Sequence, residues 1–172
     1  MSVVGEPRRV ALGLGANLGD RVAALQGAVD TIAPHLVDAA VSSVYETAPV
    51  GGPEQPDYAN AVLVGGFSGE PLELLALAHE AEQAWSRTRE IRWGPRTLDV
   101  DVLVVGDLVS DDPVLTLPHP RAAERAFVLV PWAEADPGAT FPDGTRVGDL
   151  VDALDPADGV LRRDDARLEL TS

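Results

Sequence analysis

An α+β fold of the ferredoxin-like sandwich type, a mainly antiparallel sheet with helices packed mainly on one face, is what this sequence predicts. Three observations carry that reading. Valine-rich runs and runs of helical periodicity follow one another in the order β, α, β, β, α, β, with a further helix and short terminal elements behind them. The 172 residues suit one domain, 1–172, with its core over roughly 9–150. A hydrophobic fraction of 45% is enough to fill a sizeable core.

Residues 10–15 (Val-Ala-Leu-Gly-Leu-Gly) read as the first strand, and 16–20 as a turn into a helix that Asp20 can cap. In that helix Val22, Leu25, Val29 and Ile32 recur at helical spacing until Pro34 stops it. The glycines of this stretch do not have the spacing of a dinucleotide-binding fingerprint, because Gly19 follows Gly15 one residue too late. Residues 37–47 alternate as a strand, and 48–57 form a loop dense in proline and glycine. Tyr58 and Asn60 then lead into a strand over 61–67. Pro71 opens the second helix, which the spacing of Leu72, Leu75, Ala76, His79 and Gln83 carries to about Trp85. A loop with Arg87, Arg89, Arg92 and Arg96 follows, then a strand over 98–105 closed by Gly106. Residues 107–114 read as an acidic turn and 147–154 as a short helix; from Asp155 the chain becomes charged and partial order at best is expected.

Composition narrows the function classes. The formal charge of −15 argues against general nucleic-acid binding. No cysteine is present, which removes disulfide frameworks and thiolate metal sites. With no signal-like amino terminus and no apolar run of membrane-spanning length, a cytoplasmic protein is the expectation. Every basic side chain is arginine, so phosphate recognition would use planar forks. The four arginines between 87 and 96 are a basic island in an acidic chain, the strongest place for a polyanion to bind.

Beside that island, Asp99 and Asp101 lie two apart on a strand and share a face. Their Cβ atoms are then about 7 Å apart, a span that can jointly hold two magnesium ions about 3.5–4 Å from each other. Two solvated aspartates paired with nearby arginines would give the same local pattern. Tyr58 and Asn60 likewise share a face, a ring for stacking beside an amide for hydrogen bonding, which suits a planar heterocycle; a core tyrosine and a loop-satisfying asparagine are the plainer alternative. His119 between Pro118 and Pro120 sits on a stiff, extended backbone. Phe127 is a core residue or a second stacking surface. Trp85 reads as packing at a helix end, and His79 as a helix-surface residue.

The stretch Arg92-Trp93-Gly94-Pro95-Arg96-Thr97-Leu98-Asp99-Val100-Asp101 resembles the signature of the 6-hydroxymethyl-7,8-dihydropterin pyrophosphokinases, and residues 118–131 resemble that family's second signature. Residues 14–20 are similar to its opening glycine turn, with Ala16 in place of a serine. Ala48, Ser86 and Val114 depart from the commonest pattern, which has a proline, a glycine and a basic residue there. The resemblance implies that Thr47, Val50, Tyr58, Asn60, Trp93 and Phe127 bind the pterin, with Phe127 opposite Tyr58. It implies that Glu82, Arg96, Thr116, His119 and Arg125 surround the nucleotide, and that Arg87 and Arg89 act from a mobile catalytic loop.

The implied reaction is transfer of the βγ-pyrophosphoryl unit of ATP to the hydroxymethyl group of the dihydropterin in folate biosynthesis, releasing AMP. It would need two Mg2+ ions on Asp99 and Asp101, and the expected assembly is a monomer. A catalytically silent pterin- or nucleotide-binding module and a metal-dependent phosphohydrolase are the alternatives. The aromatic pair argues against the hydrolase, since water needs no stacking surface, and the intact aspartate and arginine set argues against the silent module.

Overall fold

The computed structural model describes residues 6–16, 21–47, 58–89, 98–154, 160–163 and 167–170. In chain order these form β1 (Arg8–Ala16), α1 (Arg21–Ile32), β2 (Val37–Val41), β3 (Val44–Thr47), β4 (Tyr58–Phe67), α2 (Pro71–Arg89), β5 (Asp99–Val105), β6 (Ser110–Asp112), β7 (Leu115–Leu117), α3 (Ala126–Ala135), α4 (Val147–Asp152) and β8 (Val160–Arg163).

Two interlocked split βαβ units make the sheet, as the element order predicts. Its strand order is β5-β1-β4-β3-β8, with β2 also on β4. Every pairing is antiparallel: β4 lies between β1 and β2/β3, and β1 lies between β4 and β5. Both crossover helices, α1 and α2, therefore return over the same face. They bury Leu25, Val29, Ile32, Leu74 and Ala78 against Val10, Leu12, Leu14, Leu63, Val100 and Val102.

Helices cover both faces of the sheet, not mainly one. A second core joins Ala11, Val62, Val64 and Leu103 to Leu129 and Trp132 of α3 and Val147 of α4. Trp132 is 1% exposed and meets Phe141 edge-to-face at 5.1 Å. The apolar alternation along β1 and β4 supports this layering, because both sets of side chains are aliphatic and both need cover. Helix α3 contains Pro131, which lacks the N–H an interior position would donate. Burial of Pro131 and its neighbours outweighs that local preference, and the helix runs on through Ala135.

The strand expected over 37–47 is interrupted at Ser42 and Ser43. The Ser42 backbone N–H donates to the Val62 carbonyl at 2.9 Å while its hydroxyl accepts the Val62 N–H, also at 2.9 Å. Ser43 then turns its own N–H (2.9 Å) and hydroxyl (2.7 Å) to the Glu134 carboxylate of α3, which also accepts from the Tyr45 hydroxyl at 2.9 Å. One carboxylate thus ties the second helical layer to the break between β2 and β3.

This tie sets stability at both ends of the pH scale. The hydrogen bonds from Ser43 and Tyr45 outweigh burial and hold Glu134 below its ordinary 4.5. Its contribution is complete above that value and is lost as pH falls through the lowered folded-state pKa. Burial, followed by the Glu134 contact, raises the Tyr45 hydroxyl from 10.0 to about 12, so its contribution is complete below pH 10 and fades between 10 and about 12. Glu134→Ala is expected to cost about 1–2 kcal/mol, lowering Tm by roughly 2–8 °C. Melting curves of Tyr45→Phe against the parent between pH 9 and 12 should converge at the alkaline end; parallel curves would contradict this account.

The charged tail does more than its composition suggests. Strand β8 adds to the outer edge of β3, pairing Thr47 with Val160 and Val44 with Arg163. Glu46 accepts from Arg21 of α1 at 2.7 Å and from Arg163 at 3.0 Å, so one carboxylate gathers three elements. Further on, the Gln26 amide exchanges two 2.8 Å hydrogen bonds with the Glu169 backbone, and Leu168 is buried in the α1/α2 core. Amide and carboxylate contacts supply here what hydrophobic periodicity does not display.

Candidate active site

Several of the candidate site residues lie on the α3 face of the sheet, at the end where β1 finishes. Alternation explains why. Ala11 of β1 and Leu103 of β5 belong to the α3-side core, so Gly13 and Gly15, and Asp99 and Asp101, face the same way. In the register, Gly13 is opposite Asp101, and Gly15 is opposite Asp99 on one side and Asn60 on the other. The two aspartates and Asn60 are thus separated by the Gly13–Gly15 stretch of β1, which carries no side chain on this face, roughly 10 Å across two strand spacings. A Cβ at Gly15 would stand 3.4 Å from the Asn60 side-chain oxygen, so even alanine would touch the amide. Asn60 is 4% exposed, one of few buried polar side chains among the described residues.

Three further groups close on this floor. The His119 backbone N–H donates to the Leu103 carbonyl at 2.8 Å, anchoring the segment after β7 onto β5. Its Nδ1 accepts the Arg121 N–H at 3.2 Å, which leaves Nε2 as the nitrogen bearing hydrogen. Burial lowers the imidazole below its ordinary 6.5; Arg125 and Arg121 push the same way, and Asp101 opposes them. His119 is therefore a neutral Nε2–H donor near Asp101. Arg125 occupies the N-cap position of α3 and its guanidinium lies 5.6 Å from the centroid of the Phe127 ring, a cation-π pair at the start of the helix. Phe127 is only partly buried, with one part of it against the α3-side core.

Asp99 is exposed and Asp101 half-buried. Among the described residues no cluster of three acidic or histidine side chains forms a protein-only cage for a metal ion. Two carboxylates on an open floor fit magnesium, which keeps waters and is commonly held by one or two carboxylates with substrate phosphates completing its shell.

The fold thus brings together Asn60, Asp99, Asp101, His119, Arg125 and Phe127. Thr47 and Tyr58 are paired across β3 and β4 next to Asn60, with their side chains outside the described residues. Val50, Trp93 and Arg96 lie outside the described residues altogether. Thr116 donates from Oγ1 to the Asp112 carbonyl at 3.1 Å, tying the β6–β7 hairpin to itself. Glu82 directs its carboxylate at the Val100 N–H, 2.9 Å away, on strand β5. Arg87 and Arg89, expected on a loop, stand in the last turn of α2, which continues past Trp85 to Arg89. The helix has no glycine or proline to stop it before Gly94 and Pro95, so the expected stop at Trp85 falls short.

Sequence reasoning passed over two contributors. Gly13 and Gly15 form the floor, and their period of two, in register with Asn60 and the aspartates, was the available signal. The Arg121 backbone N–H that fixes the His119 ring has no sequence signature.

Residues 11–137 match the protein family described as 7,8-dihydro-6-hydroxymethylpterin-pyrophosphokinase. The 2-amino-4-hydroxy-6-hydroxymethyldihydropteridine pyrophosphokinase of Mycobacterium bovis is 43% identical over 173 residues, covering 93% of this chain and 89% of that protein. The enzyme of the same name from Bacillus subtilis is 43% identical over 146 residues, covering 79% and 87%. Among solved structures, Plasmodium falciparum wild-type HPPK-DHPS with pterin and p-hydroxybenzoate superposes with a TM-score of 0.67 at 14% identity. It covers 88% of this chain and 44% of that one, so the chain spans less than half of that protein and the likeness is one of fold. The family match over most of the length and relatives at this identity agree with a floor that sets paired carboxylates across from a buried amide: the chain belongs to the 7,8-dihydro-6-hydroxymethylpterin-pyrophosphokinase family.

Proposed function

We propose that this protein transfers the βγ-pyrophosphoryl group of ATP to the hydroxymethyl oxygen of 6-hydroxymethyl-7,8-dihydropterin, yielding the pterin diphosphate and AMP, a step of folate biosynthesis. The observation that carries the proposal is the glycine floor with Asp99 and Asp101 on one side and Asn60 on the other. That arrangement gives a polyphosphate and a planar ring adjoining places on one surface.

Asn60 supplies the buried amide that fixes the pterin edge, with Thr47, Val50, Tyr58 and Trp93 assigned to the same pocket. Phe127 offers a ring for stacking, with the Arg125 guanidinium 5.6 Å from its centroid. Asp99 and Asp101 would hold two Mg2+ ions, which supply charge neutralisation on the phosphates. Arg87, Arg89, Arg96 and Arg125 spread compensating positive charge over the transferring group, as phosphoryl transfer requires. His119 would offer Nε2–H to a phosphate oxygen, its ring oriented by the Arg121 N–H at Nδ1. Thr116, three positions before His119 in the sequence, is assigned to the nucleotide as well. The pterin oxygen forms its bond to the β-phosphorus as the bond from that phosphorus to the AMP oxygen breaks, and the hydroxyl proton leaves to solvent or product phosphate. No side chain is assigned as base; positioning and charge carry the rate. A monomer acting in the cytoplasm completes the proposal.

The test is AMP release from ATP with magnesium, with and without the dihydropterin, followed by chromatography of the pterin. Pterin-dependent AMP together with a pterin diphosphate supports the reading. ADP and phosphate without pterin would replace it with a hydrolase, and pterin binding without turnover would leave a silent module. A narrower test uses the floor itself. Gly15→Val should displace Asn60 and weaken pterin binding about tenfold, while ATP affinity changes by less than about threefold. Equal losses for both ligands in calorimetric titrations would contradict the division of the surface.

A further inference from the structure

We infer that Glu82 is a positioning residue that fixes the metal-binding strand from its open edge, and is not itself a nucleotide contact. Among the described residues, strand β5 is the last in the sheet order and β1 alone pairs with it. On its other edge the Val100 N–H finds the Glu82 carboxylate at 2.9 Å, where a further strand would have offered a carbonyl. Val100 is the residue between Asp99 and Asp101. Its side chain enters the α1/α2 core while the two aspartates face the other way, so the contact fixes the backbone midway between the two carboxylates.

Helix α2 is a firm base for this contact. Ala78 is fully buried and Ala81, next to Glu82, is 2% exposed, which leaves the helix little room to shift. A charged acceptor makes a stronger bond than a neutral one and is suited to a single-point attachment. Turned into the sheet edge, the Glu82 carboxylate orders the backbone between the two carboxylates that attract the cations. Side chains that orient metal ligands without touching the metal typically change metal affinity by about 10–100-fold when removed.

The inference rests on the pyrophosphoryl-transfer reading, and its test reads no turnover. Hydrogen exchange of the Val100 amide is measured in the metal-free protein, and Mn2+ binding in the presence of a non-hydrolysable ATP analogue by calorimetry. Glu82→Ala should speed Val100 exchange about tenfold or more and weaken Mn2+ binding by about 10–100-fold. Glu82→Gln, whose amide oxygen can still accept the N–H, should remain within about threefold of the parent in both.

Unchanged Val100 exchange in Glu82→Ala would overturn the inference. So would faster exchange with unaltered Mn2+ affinity, which would make the contact merely structural. A Glu82→Gln protein that keeps Val100 protected but loses the analogue as fully as Glu82→Ala would return Glu82 to the nucleotide. If Glu82→Ala does not fold, the parent decides: a Val100 amide exchanging at the rate of an unprotected edge amide overturns the inference. Failure of the function proposal has a different signature, namely absence of metal-dependent analogue binding in the parent while Val100 remains protected.

Discussion

Asp101→Ala is expected to lower kcat/KM by about a thousandfold or more, with the thermal midpoint changed by no more than a few degrees. The loss corresponds to about 4 kcal/mol of transition-state stabilisation, within the several kcal/mol a metal ion supplies to a phosphoryl oxygen. Stability should be nearly unaffected because Asp101 is half-buried on an open floor opposite Gly13, with no large side chain packed across from it. Its removal also takes away the negative charge nearest His119, so the imidazole should titrate at lower pH still. Asp101→Asn keeps the shape and loses the charge, and should be nearly as impaired, since Mg2+ selects anionic oxygen. Steady-state rates across a magnesium series, with melting curves on the same samples, check all of this. Asp99→Ala should behave alike but respond more to raised magnesium, because Asp99 is the more exposed carboxylate and water replaces it more readily. Near-normal rates in both variants would remove the two-metal assignment.

The elements that hold this site were legible where periodicity and burial agree. Val10, Leu12 and Leu14 alternate with Gly13 and Gly15, so the first strand and its two faces follow from the residues alone, and the paired aspartates declare a shared face through the same period of two. What stayed hidden depends on contacts distant in sequence. Strand β8 is charged and lies 113 positions beyond the strand it pairs with, as the register Thr47 to Val160 shows, and nothing local marks Val160 as its partner. The second helical layer was under-read because Pro131 suggests a break, whereas burial of Val128, Leu129 and Trp132 keeps the helix intact. At the break, the Ser43 N–H and hydroxyl turn to Glu134, 91 positions away in the sequence, a partner nothing local announces. At the site the residue types were readable from sequence, while their orientation was not: only the fold shows Glu82 turned toward Val100 and the His119 ring fixed by a backbone N–H.

Arg87→Ala carries the second large effect, and the end of helix α2 gives it a sharp alternative. A basic residue in the last helical turn has an ordinary role, since it complements the negative end of the helix dipole for about 0.3–1 kcal/mol. If that were all, the variant would melt slightly earlier and turn over normally. The transfer reading demands more. Arg87 is five positions beyond Glu82, roughly 7.5 Å along the helix axis, on the element that anchors β5 between its two aspartates. A cation delivered from that point to the transferring group acts as charge rises on the phosphate oxygens, and such arginines are worth about 10³–10⁵ in kcat. Arg87→Ala should therefore lower kcat by about a thousandfold while the affinity for a non-hydrolysable ATP analogue falls less than about tenfold. Arg87→Lys should recover only part of the rate, because an ammonium cannot match the planar fork on two oxygens. Equal losses in rate and affinity would make Arg87 a ground-state binding group, and normal turnover with a small drop in Tm would leave it as the end of a helix.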